Sequence, residues 1–94
     1  VKIRFYIDPD TNEPHIYNHD VTEQEVVDFF TERQYLEAMR YDGSHEAIGR
    51  LSSGRCLRVA YRLQSDQTPF VITAYDITDR ETITLLEDQY ESDR

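Results

Sequence analysis

Two arginines, Arg58 and Arg62, share one face of the alternating stretch Arg55–Leu63. Side chains on a strand point to opposite faces in turn. Leu57, Val59, Tyr61 and Leu63 therefore form one face, with Arg55 at the turn end, and Cys56, Arg58, Ala60 and Arg62 form the other. The two guanidiniums then stand roughly 13 Å apart along the strand. Spacing alone favours an exposed face that uses arginine for solubility. The same pair could hold an anion, because a guanidinium matches phosphate oxygens in a bidentate way. His15 and His19 make a second pair, with H-x₃-H spacing and Glu13 and Asp20 nearby. On a helix this spacing would turn both imidazoles the same way. No third ligand is defined, so no metal and no cofactor is expected, and His19 reads as a turn histidine bonded to local backbone. Cys56 has no base beside it and reads as a packed thiol. Glu23, Glu25, Asp28 and Glu32 read as a solvated helix face, with Glu25 serving the cap.

These residues need a sheet to position them. A three-stranded antiparallel meander is expected over 44–78: Ser44–Leu51, a Ser52-Ser53-Gly54 turn, Arg55–Leu63, a polar loop, and Phe70–Thr78. Pairing Leu63 with Phe70 puts Phe70, Ile72 and Ala74 on the core face. It puts Thr73 and Tyr75 on the arginine face, with Tyr75 opposite Arg58 and with Val71 and Ile77 also on that side. Pairing Ser52 with Arg55 sets Ile48 beside Val59 and leaves Arg50 on the core side, near the rim. Upstream, Lys2–Ile7 alternates as a half-buried strand, and Asp8-Pro9-Asp10-Thr11-Asn12 supplies turn chemistry. Pro14–Tyr17 is open between a short strand and a helical turn. Thr22-Glu23-Gln24-Glu25 fits a capping box, with Val21 and Val26 as a hydrophobic staple. The helix that follows carries Val26, Val27, Phe29 and Phe30 on one side. Over Arg33–Asp42, Leu36 and Met39 keep a helical spacing, so a second short helix or a bent extension is expected, ended by Asp42-Gly43. Thr78-Asp79-Arg80-Glu81 resembles a second capping box, and Ile83, Leu86 and Tyr90 mark a face of a terminal helix that frays over Glu91–Arg94.

The expected fold class is therefore α+β. An antiparallel sheet, made of strand 2–7 and the meander, carries helices 22–33 and 79–91 on one face. The opposite face stays open, with Arg58, Arg62, Thr73 and Tyr75 on it. The 94 residues suit a single domain. A net charge of −9, from 19 acids and 10 bases, argues against general nucleic-acid binding and against DNA binding by the chain alone. Yet Arg50, Arg55, Arg58 and Arg62 lie in a stretch, Ala47–Ser65, without one acid, so a local positive patch on a negative body is expected. One cysteine excludes an internal disulfide. No apolar run approaches the ~20 residues of a membrane span and no signal-peptide pattern is visible, so the expected localisation is cytoplasmic.

Several stretches resemble a known family. His19-Asp20-Val21 before a helix resembles the Lys-His-Gly-Val stretch of BrnT-type toxins. Ala47-Ile48-Gly49-Arg50 followed by Gly54-Arg55-Cys56-Leu57-Arg58-Val59-Ala60-Tyr61 resembles their central hairpin. Val71-Ile72-Thr73-Ala74-Tyr75 resembles the strand that ends Ser-Ala-Arg in that family. The likeness covers residues 15–78. It is closer still to a group of uncharacterised small domains with His-Ile-Tyr-Asn-His near the start and Val-Ile-Thr-Ala-Tyr near the end, here at 15–19 and 71–75. The resemblance implies a RelE-like fold and a metal-independent ribonuclease toxin of a bacterial type II toxin–antitoxin system. An antitoxin would then cover the arginine-bearing sheet face. Carried over to this chain, the catalytic candidates are His19, Arg58 and Tyr75, and Arg50, Arg55 and Arg62 are the phosphate- or RNA-binding candidates; Arg62 comes from the strand reading. The chain departs from the family at Asn18 for Lys, Asp20 for Gly and Tyr75 for Arg, which removes two positive charges and adds a negative one beside His19. Those departures sustain a second reading: a non-catalytic module that uses the same face to bind a protein or a second copy of itself.

Overall fold

The computed structural model describes residues 2–92, with side chains as far as Asp88. The expectations for the Tyr90 side chain and for residues 93–94 lie outside the described residues, while Glu91 and Ser92, where fraying was expected, continue the terminal helix. The architecture is mixed α+β. Its elements are β1 (Arg4–Phe5), β2 (Ile7–Asp8), β3 (Glu13–Pro14), a 3-10 helix (His15–His19), α1 (Glu23–Glu32), β4 (Tyr35–Met39), β5 (His45–Arg50), β6 (Cys56–Leu63), β7 (Pro69–Asp76) and α2 (Arg80–Ser92). Five strands form one sheet in the order β1-β7-β6-β5-β4, and β2 pairs with β3 in a separate hairpin.

Three expectations about the sheet are corrected. The sheet is mixed, because β1 runs parallel to β7. The expected strand 2–7 is interrupted: Ile3 and Phe5 pack against the core, whereas Ile7 belongs to the β2–β3 hairpin and is exposed. Residues 35–39 form the edge strand β4 where helix was expected. Arg33 ends α1 in the left-handed conformation (φ 56°), its N–H bonding back to Phe29 O. Tyr35 then lies opposite Gly49 and stacks on Phe29, ring centroids 5.0 Å apart. A Cβ on Gly49 would stand 2.5 Å from Gln34 O and 2.6 Å from Tyr35 Cβ. This absent side chain is what lets β4 close against β5. Asp42-Gly43 serves the β4–β5 turn, with Asp42 Oδ1 accepting from both Ser44 N (2.9 Å) and Ser44 Oγ (2.6 Å).

Register was legible in part. Arg58 is opposite Tyr75, Val59 opposite Ala74 and Ala60 opposite Thr73. Beyond Ala60 a bulge takes up Ile72, so Tyr61 meets Val71 and Arg62 meets Phe70. A bulge places one extra residue in one strand, and here it swings Val71 into the core and Phe70 out of the expected register. The β5–β6 hairpin is displaced by one residue. Leu51 and Arg55 close a three-residue loop with Gly54 at φ 97°, so Ala47, not Ile48, faces Val59. Ile48 and Arg50 thereby move to the Arg58 face.

The core joins Ile16, Val21, Val26, Phe29, Ala47, Leu51, Leu57, Val59, Tyr61, Val71 and Ala74. α1 covers this face, entered through the expected capping box: Thr22 Oγ1 accepts from Glu25 N and Glu25 Oε1 accepts from Thr22 N. Glu25 and Glu32 are not merely solvated, since they bond Arg55 and Ser52. α2 does not join α1. Ile77 and Leu86 are buried outside the α1 core, α2 approaches β5, and the Glu87 charge reaches Cys56, whose side chain points away from Leu57. α2 therefore lies against the second face, so the helices are not all on one side and that face is partly covered. Its start is held by Asp79, whose carboxylate accepts from Thr82 N (2.9 Å); this makes Asp79, not Thr78, the capping side chain.

Candidate functional site

β1 accompanies β7 only at Phe70 and Val71. Past that point the 3-10 helix lies along β7. Ile16 and Val21 anchor this segment in the core, both about 1% exposed. That anchoring leaves His15 and His19 on the outer side, where an open cleft of about 590 Å³ is lined by His15, His19, Asp20, Thr73, Tyr75 and Asp76. The His15 and His19 rings meet edge-on with centroids 5.4 Å apart, and His19 lies 5.7 Å from the Tyr75 ring. Two of the sequence candidates, His19 and Tyr75, are thus brought together.

His15 is more constrained. Its Nδ1 lies 3.1 Å from Asp8 Oδ2, which also accepts from Asn18 Nδ2 at 2.9 Å. The Asp10 backbone N–H, and next the His15 ring, hold the Asp8 carboxyl below the usual range, so Asp8 is a carboxylate and only accepts. A proton on His15 Nδ1 answers this carboxylate, whereas Asn18 Nδ2, 3.3 Å from the same nitrogen, is itself a donor. Thr73 adds a buried hydroxyl with no hydrogen-bond partner among the described residues. Asp8 and His15 as an acid–base group were missed from the sequence, and Thr73, placed beside Tyr75 on the expected open face, was not named among the site residues. The signal available was the turn chemistry of Asp8–Asn12, which folds Asp8 back beside the H-x₃-H pair.

The arginines are dispersed and engaged. Arg58 bonds Glu46, which Arg40 also holds (Nε–Oε2 3.0 Å). Arg40 first, and then Arg58 against the cost of burial, keeps the Glu46 carboxyl low. Arg55 points to the α1 side and joins three elements. Its Nε donates to Asp76 Oδ1 (2.6 Å), and Nη1 donates to Glu25 (2.7 Å) and to Asp20 O (2.9 Å). Arg62 is half exposed and stays near Asp42, 3.8 Å from its carboxylate. Arg50, on the second face rather than the core side, is also engaged. Burial pushes the Cys56 thiol up, against a nucleophilic role. Among the described residues, no group of three His, Cys, Asp or Glu is arranged to hold a metal. No described helix is long and apolar enough to cross a membrane.

The arrangement supplies two imidazoles, one oriented by a carboxylate, beside a phenol and an unpartnered hydroxyl. That is equipment for proton transfer and stacking, without a basic cradle. Compared with protein-family models, curated proteins and solved structures, the chain finds no match.

Proposed function

We propose that this chain is a metal-independent endoribonuclease of toxin type that works from the His15–His19–Tyr75 cleft, not from an arginine face. The observation that carries the reading is the meeting of these three side chains in one cleft, with His15 Nδ1 on Asp8. The likeness of residues 15–78 to BrnT-type toxins supports it, and with it a RelE-like ancestry of the sheet.

RNA brings its own nucleophile. The base removes the 2′-hydroxyl proton, the 2′-oxygen attacks the adjacent phosphorus, the bond from phosphorus to the 5′-oxygen breaks, and the acid protonates that leaving oxygen. His15 suits the base, because Asp8 steadies the imidazolium that forms on it. His19, edge-on to it, is the acid. Tyr75 stacks on a base or bonds a phosphoryl oxygen. An antitoxin-like partner would cover the cleft, since α2 lies over the β5 side of the same face.

The test is a random-sequence RNA pool incubated with purified protein in EDTA. Wild type cleaves it, His15→Asn and His19→Asn each slow cleavage by about 100-fold or more, and Arg58→Ala changes it little. Intact RNA with wild type, or cleavage indifferent to both histidines, overturns the reading.

A second reading has its own support. Arg55, Arg58 and Arg62 all face carboxylates, and the cleft adds Asp20 and Asp76, so phosphate meets little free positive charge. That is the pattern of a non-catalytic interaction module, which leaves the RNA pool intact in every tube.

A further inference from the structure

β4 forms the far edge of the sheet. Arg50 N–H bonds Gln34 O at 3.0 Å and Arg40 N–H bonds Ser44 O at 2.7 Å. Backbone groups alternate sides along a strand, so those of Leu36 and Ala38 face β5 and those of Tyr35, Glu37 and Met39 face outward. The usual protections of an edge are shortness, charged side chains, proline, a bulge or a covering segment, and of these β4 carries the charge of Glu37. The five residues of β4 include no lysine or proline, their pairing with β5 is unbroken, and their outer half is exposed. Met39 is 70% exposed, and Tyr41 just beyond is fully exposed. On the face shared by Tyr35 and Glu37 lies a cleft of about 460 Å³, past the end of α1, where Phe30, Tyr35, Tyr61 and Pro69 stand beside the charged Arg33 and Glu37.

We propose that β4 takes up, as a sixth strand, an extended segment of another protein in which basic residues alternate with apolar ones. The main chain of that segment completes the outward N–H and C=O groups of Tyr35, Glu37 and Met39. Its basic side chains fall on the Tyr35–Glu37 face, where Glu37 and the aromatic rings meet them, and its apolar side chains take the other face, over Leu36 and Ala38. Charge decides against a second copy. Each copy carries −9, and symmetric pairing centred on Glu37 sets two carboxylates opposite each other. A basic segment is drawn in by the same field. The inference does not depend on the ribonuclease reading, since it uses the opposite edge of the sheet.

The test pans a library of random decapeptides on the full chain, then follows amide hydrogen exchange with and without the enriched peptides, synthesised singly. The expected peptides alternate basic and apolar residues. They slow exchange at Tyr35, Glu37 and Met39 by tenfold or more, bind more weakly as salt rises, and lose tenfold or more in affinity to Met39→Pro, which removes an outward N–H. Met39→Lys, which keeps the ladder, weakens binding most at low salt. Failure to enrich, acidic or non-alternating peptides, or binding that leaves those three amides unchanged overturns the proposal. So does protection of the same amides by raising the concentration of the chain alone, which would make a second copy the occupant.

Discussion

Arg55→Met should show how much of the fold around the cleft hangs on one guanidinium. The substitution keeps an apolar stem but leaves Glu25 and Asp76 without their shared cation and Asp20 O without its donor. Breaking a buried pair by removing one partner costs about 3–5 kcal/mol. The Arg55 side chain is 24% exposed and that of Asp76 47% exposed, so solvent screening lowers the expected cost to about 2–3 kcal/mol. In a chain of this length ~1 kcal/mol moves Tm by about 4–8 °C, which gives a fall of about 10–20 °C. Burial pushes the Glu25 carboxyl up, but Arg55 and the Thr22 N–H outweigh it, and Arg55 holds Asp76 low, so both folded carboxyls titrate below their ordinary values. The stability they contribute is present above those ordinary values, about 4, and is lost as pH falls through the lower folded values. The deficit of Arg55→Met is therefore full at pH 7 and shrinks steadily below about pH 4. Thermal unfolding followed by circular dichroism at pH 7 and pH 3 measures both. A Tm within about 2 °C of wild type at pH 7, or an equal deficit at both pH values, refutes the reasoning.

Gly49→Ala should cost about 2–3 kcal/mol by urea unfolding, because the new Cβ meets backbone and Cβ atoms of Gln34 and Tyr35 that cannot swing aside. Thr73→Val should raise stability by up to about 1 kcal/mol while lowering any activity of the cleft, since it removes a buried hydroxyl without a partner; a measured destabilisation would show that the hydroxyl is satisfied in solution. Glu46→Gln releases Arg40 and Arg58 from their shared carboxylate, and retention on immobilised RNA at low salt should rise severalfold and fall steeply with added salt. Unchanged retention would mean that the two guanidiniums do not reach phosphate even when released.

What could be read from the chain beforehand was mostly local. The Thr22–Glu25 capping box and the alternation of Leu57, Val59 and Tyr61 need only neighbouring residues, and both stand in the structure. β4 escaped because Leu36 and Met39 mimic a helical spacing, while its strand character comes from pairing with Gly49, fourteen residues away from Tyr35. The Asp42-Gly43 pair was a hairpin signal read as a helix stop. The bulge at Ile72 leaves no mark in an apolar run that alternates acceptably in either register. An amphipathic pattern says that α2 has an apolar face, not which side of the sheet will receive it. His19 and Tyr75 were legible as chemistry but not as neighbours. Their meeting depends on Ile16 and Val21 anchoring the 3-10 helix against the sheet. His15 acquires its role only because Ile7 pairs with Pro14 and carries Asp8 to its ring.

The chemical nature of the cut ends tests the cleft most directly. Phosphorus NMR of RNA treated with the protein in EDTA should show a 2′,3′-cyclic phosphate, with a free 5′-hydroxyl on the other fragment. The signal should vanish for the His15→Asn/His19→Asn double variant. Ends carrying a 5′-phosphate, or a cyclic phosphate that forms equally well without the two imidazoles, would contradict the assignment.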